Sequence, residues 1–127
     1  MKVFTDISQS KKLAEILPLE SADQTWARIV IAGANLDVPE ELQYRHNGDM
    51  PFKYYSGIGV PCWSLAALLD VLPNKLQIAL AINDFQGDRK EKYSIGSVEH
   101  DKYDCFADNP VDACYELILK LHELNLL

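Results

Sequence analysis

Three cysteines and three histidines are the side chains of this chain best suited to nucleophilic or metal chemistry. Cys62 is the most suggestive. It lies in the run Val60 to Pro73 (VPCWSLAALLDVLP), beside Trp63 and at the expected start of a helix. A helix N-terminus lowers a thiol pKa and favours the reactive thiolate. A thiolate with a histidine base would be a nucleophile pair. However, His46, His100 and His122 all stand far from Cys62 in the sequence. The plainer reading is a small buried cysteine next to a tryptophan plug whose one N–H needs a partner. Tyr54, Tyr55, Cys62 and Trp63 are the candidates for lining a ligand pocket, and no residue is assigned a catalytic role.

The remaining candidates are weaker. Cys105 falls on an expected strand and Cys114 on a helix face, without the CxxC pairs or close His/Cys spacing of a zinc site. Asp101, Asp104, Asp108 and Asp112, with Glu99 and His100, form an acidic series that could collect a divalent ion. Their spacing is not that of a calcium loop, and a charge run is ordinarily a solvated face. Gly57-Ile58-Gly59 runs towards the central helix, as an anion-holding loop would. It lacks the spacing of a phosphate loop, and Pro61 removes a useful N–H. No metal and no cofactor are expected.

The elements that would position these residues follow from periodicity. Leu65, Leu68, Leu69 and Leu72 recur at i, i+3, i+4 and i+7, which makes one face of a central helix ended by Pro73. Pro61 is a candidate first helical position and Ser64 a candidate cap. Ser8 to Leu17 reads as an amphipathic helix capped by Ser8 or Ser10, with Leu13, Ile16 and Leu17 inward. Ser21 to Gln24 is expected to add a helical turn. Thr25 to Ala32 reads as a strand apolar on both faces.

Ala34 to Gly59 is rich in turn residues yet carries Tyr44, Phe52, Tyr54 and Tyr55, so a loop folded on the body is expected. Leu42 to Arg45 could pair briefly as a strand. Lys75 to Asn83 alternates cleanly and pairs with Lys90 to Val98 as a hairpin across Asp84 to Asp88. Lys102 to Ala107 is a third strand. The last helix starts at Asp108 or Asn109, with Pro110 in its first turn. Its buried face is Val111, Cys114, Leu117, Ile118, Leu121 and Leu124. The fold class is therefore α+β: a small antiparallel sheet of three to four strands with about three helices packed on it.

At 127 residues the chain suits a single globular domain, 1–127. Its 48% hydrophobic and 24% charged content is that of an ordinary core-forming protein. An odd number of scattered cysteines fits reduced thiols, hence a cytoplasmic location. Met1 to Ser10 lacks the apolar core of a signal peptide, and no run approaches a membrane span. A net charge of −7 would repel a phosphate backbone, so nucleic-acid binding is not expected. The same charge suits a basic site on another protein.

Three blocks, SQSKKLAEILPLESADQTW, PCWSLAALLDVLP and NPVDACYELILKLHELNLL, resemble a group of small proteins of Bacteroides-type gut bacteria and of their phages and mobile elements. The resemblance covers most of the chain, and the middle block is the most specific. Ala34 to Gly59 departs from it. No activity, substrate or cofactor carries over, and an intracellular, phage- or element-borne setting is what the resemblance implies. The expectation is a non-enzymatic accessory or protein-interaction domain. The alternative is a small ligand-binding or enzymatic domain with its pocket near the Tyr44 to Tyr55 loop and Cys62/Trp63. A third, weaker alternative is an acidic DNA mimic. Oligomeric state is left open.

Overall fold

A computed structural model of the chain describes residues 2–27, 43–46, 60–82 and 90–127. They form a small α+β fold of three α-helices and six strands, and the strands make two three-stranded antiparallel sheets. The chain divides into two compact units: Asp6–Ser64, and Met1–Thr5 together with Leu65–Leu127. The single sheet of three to four strands expected from the sequence is thus replaced by two. In the second sheet the strand at Gln24 pairs with Gln43–His46 and with Val60–Cys62, which the sequence reads as a helix start but which is extended.

In the unit Asp6–Ser64, helix α1 spans Ile7–Ala14. Its cap is Asp6 rather than Ser8 or Ser10. The Asp6 carboxylate accepts the Gln9 N–H at 2.8 Å, and the Gln9 side chain accepts the Asp6 N–H at 3.2 Å. This reciprocal box satisfies two of the helix's orphan donors. Ser10 is instead buried one turn inside, and Leu13 and Leu17 are buried as the periodicity requires. The turn expected over Ser21 to Gln24 lies earlier, as a 3-10 turn at Leu19–Ser21.

Gln24 opens β1 (Gln24–Ala27), the centre of the sheet. β1 pairs with β2 (Gln43–His46) on one side and with β3 (Val60–Cys62) on the other. Pro61 sits opposite Thr25 on β3, which ends the order of this sheet among the described residues. α1 packs against β3. Residues beyond Ala27 in the expected strand lie outside the described residues.

In the other unit, α2 is only Leu65–Asp70. Leu68 and Leu72 are buried, whereas Leu69 is 38% exposed, so the four-leucine face is only partly used. α2 packs on α3 (Pro110–Glu123). The expected hairpin is present as β4 (Ile78–Ile82) and β5 (Tyr93–Ser97), with Ile78 opposite Ser97 and Ile82 opposite Tyr93. Its turn, Asp84 to Asp88, lies outside the described residues. β6 (Cys105–Ala107) pairs with β5 and follows a 3-10 turn at Asp101–Tyr103.

α3 begins as its sequence dictates. Asn109 accepts the Asp112 N–H at 2.8 Å, and Pro110 occupies the first turn. It buries Val111, Ala113, Cys114, Leu117, Ile118 and Leu121 completely. Leu124 is 51% exposed, because the helix stops at Glu123. There Asn125, at φ 56°, donates to the His122 carbonyl at 3.1 Å, and Leu126 donates to Leu121 at 2.9 Å. This is a Schellman stop with asparagine in the left-handed position that glycine usually fills.

Candidate functional site

Of the four pocket candidates, Cys62 and Trp63 are described, and both are completely buried. Tyr54 and Tyr55 lie outside the described residues. Cys62 ends β3 and does not start a helix, so the electrostatic reason for a depressed thiol pKa is gone. A nucleophile needs access, and Cys62 has none in this fold.

Trp63 is engaged structurally. Its indole N–H donates to Ser21 Oγ at 2.9 Å, and the Ser21 hydroxyl donates to the Pro18 carbonyl. The next residue is tied to the same segment. Asp23 accepts the Ser64 N–H at 2.9 Å and also the Ser64 hydroxyl. Ser64 thus gives both its N–H and its hydroxyl proton to one carboxylate. The 3-10 turn and β1 start therefore hold the Trp63-Ser64 pair, the tryptophan plug of the plainer reading.

The other two thiols are buried as well. Burial pushes the Cys114 thiol up to about 12 and raises Cys105. For Cys105, Lys120 opposes that rise while Glu116 and Asp104 add to it. Both are protonated at neutral pH and unsuited to nucleophilic attack.

The acidic series is dispersed by the fold. Asp112 is paired with Lys2 at 2.7 Å and accepts from the Asn109 side chain at 2.7 Å. Asp104 packs beside Gly96, and Glu99, Asp101 and Asp108 are exposed. Asp108 is not the cap, since Asn109 fills that role. Among the described residues no three His, Cys, Asp or Glu side chains gather as a metal-holding group. His122 is exposed near the end of α3, and Gly57 to Gly59 lie outside the described residues.

What the unit does present is surface of two kinds. One is carboxylate: Asp70, Glu99, Asp101, Asp108, Glu116 and Glu123 are all exposed. Glu116 and Glu123 stand seven apart on α3 and so share a face. The other is the apolar strand β4, which pairs with β5 alone among the described residues. Ile82 is 68% exposed, and Ala79 and Ala81 are exposed too. Periodicity predicts a strand over Lys75 to Asn83, which the structure narrows to Ile78–Ile82 because a 3-10 turn at Asn74–Leu76 and a left-handed Gln77 precede it; periodicity does not show that the strand ends the sheet order. That requires the pairing order, which no local pattern encodes.

No family model, curated protein or solved structure matches the chain. No helix among the described residues is long and apolar enough to cross a membrane.

Proposed function

We propose that this protein is a non-enzymatic interaction domain that holds a basic protein partner against its carboxylate-rich surface. The observation that carries the reading is the exposed acidic set Glu99, Asp101, Asp108, Glu116 and Glu123 on one unit, within a chain of net charge −7. Such a surface attracts a basic protein site and repels nucleic-acid phosphates. The chemistry-bearing groups support it from the other side. Cys62, Cys105 and Cys114 are buried thiols, and Trp63 is consumed in a structural hydrogen bond. Three reduced thiols fit a cytoplasmic setting. The three-block resemblance favours a partner among host, phage or mobile-element proteins.

The test is co-purification from native host lysate at low and high salt, using wild type and the Glu116→Lys/Glu123→Lys variant. Both positions are exposed, so the variant leaves the core intact. A protein captured by wild type at low salt, lost at high salt and lost in the variant supports the reading. Capture that ignores both salt and charge reversal overturns it.

A further inference from the structure

The edge of β4 that no described strand covers has a composition and a hydrogen-bond phase that match a second copy of itself. The strand reads Ile78-Ala79-Leu80-Ala81-Ile82, the same in both directions. Antiparallel pairing about a two-fold axis at Leu80 would set Leu80 against Leu80 of the second copy and Ile78 against its Ile82. Ala79 would then face its Ala81. Large residues would meet large on one face, and small would meet small on the other.

The backbone phase decides whether that register can form. In an antiparallel ladder only alternate opposite pairs exchange hydrogen bonds. The Val98 N–H donates to the Gln77 carbonyl at 3.0 Å, so the pair Gln77/Val98 is a bonded one. Counting along the register, Ala79/Gly96 and Ala81/Ser94 are bonded, and Ile78, Leu80 and Ile82 turn their N–H and C=O groups away from β5. The outward groups are thus centred on Leu80, the same residue that centres the palindrome. Two-fold pairing there satisfies all of them: Leu80 with Leu80, and Ile78 with Ile82 on each side. A centre one residue away would break both the side-chain match and the hydrogen-bond phase.

The side chains favour the same outcome. Ile78, Leu80 and Ile82 share the face of Ile95, which is 1% exposed. α3 packs on β5 and β6, and β4 is the strand of the sheet farthest from β6. Ile78 and Leu80 are only half-buried there and Ile82 is open to solvent. β4 itself carries no lysine, proline or other edge guard of the kind that blocks strand addition.

We propose that the protein self-associates through β4 into a two-fold dimer with a continuous six-stranded sheet. A five-residue strand makes a small interface, so the dimer is a concentration-dependent one below roughly 1,200 Å². Two chains of net charge −7 repel each other, so added salt strengthens it. A partner held by carboxylates responds in the opposite sense, which keeps this inference separable from the proposed function.

The experiment is sedimentation velocity on the full chain over a wide concentration range, at low and high salt. Ile82→Lys places a charge at the pairing edge, at a position already solvent-exposed. Leu124→Lys is the control, since Leu124 is equally an exposed apolar residue but lies at the end of α3. The expected result is a mass rising towards twice 14.3 kDa with concentration, more readily at high salt. Ile82→Lys weakens association about tenfold or more, and Leu124→Lys leaves it unchanged. A monomer at all concentrations overturns the proposal. So does a dimer indifferent to Ile82→Lys, which places the contact elsewhere. A chain that stays monomeric but loses a lysate partner on Ile82→Lys also overturns it, because another protein's strand then fills the edge.

Discussion

Replacing Gly96 with alanine tests how closely β5 and β6 are fitted. A Cβ at Gly96 would collide with the Asp104 carboxylate and stand 3.0 Å from the Asp104 Cα and Cγ. Ordinary carbon contacts are at about 3.5–4.0 Å. The carboxylate can rotate away, but the Cα cannot without moving the chain ahead of β6, where the Asp104 N–H is tied to the Asp101 carbonyl at 3.0 Å. The closeness follows from the ladder. Gly96 exchanges hydrogen bonds with Ala79, so its meeting with Asp104 falls at the narrow, non-bonded spacing.

Overpacking of this kind costs about 1–3 kcal/mol. Alanine returns about 0.4–1 kcal/mol by restricting the unfolded chain. Taken at the middle of each range, the net expectation is a loss of about 1.3 kcal/mol. In urea unfolding this lowers the midpoint by roughly 0.5–1 M, with the slope unchanged. Adding Asp104→Ala removes Cγ and the carboxylate but leaves Cα, so the double variant should recover part of the loss. A Gly96→Ala protein as stable as wild type, or more stable, would refute the reasoning.

Two further outcomes follow from the helices. The Cys114 thiol is pushed up to about 12 by burial, against an ordinary 9.0, so above pH 9 the unfolded chain loses this proton and the fold does not. The stability it contributes is complete below pH 9 and is lost between about 9 and 12, with Cys105 acting in the same sense. Urea midpoints across that range should therefore fall, and Cys114→Ala should flatten the decline; an unchanged slope would contradict the burial. At the end of α3, Asn125→Gly should raise the melting temperature by a few degrees, worth about 0.5–1 kcal/mol, because Asn125 holds φ 56° where glycine carries no Cβ strain. Asn125→Val should lower it.

Much of the fold was legible locally. α3 combines an Asn-Pro start with an apolar period whose expected residues are all buried except Leu124, which lies past the last helical turn. The β4–β5 hairpin announced itself through alternation. What failed depended on competition between signals. Val60–Cys62 could extend either the helix after it or the sheet beside it, and pairing with β1 won. The Ser8 and Ser10 hydroxyls stand closer to the periodic residues, yet Asp6 is the cap, because Gln9 three residues on completes its box. For the site, the sequence singled out Cys62 by its expected helix start, and that rationale disappears with the helix. That β4 ends the sheet order among the described residues depends on which strands pair, so the sequence alone could show the strand but not its place.

The most direct test of the central claim is the affinity of a captured partner measured against salt, for wild type and for Glu116→Lys/Glu123→Lys. An acidic docking surface predicts binding that weakens steeply as salt rises through the range where the screening length falls to about 10 Å and below. It also predicts that charge reversal lowers both the affinity and the steepness. Affinity that is flat with salt and equal in the two proteins would contradict the account.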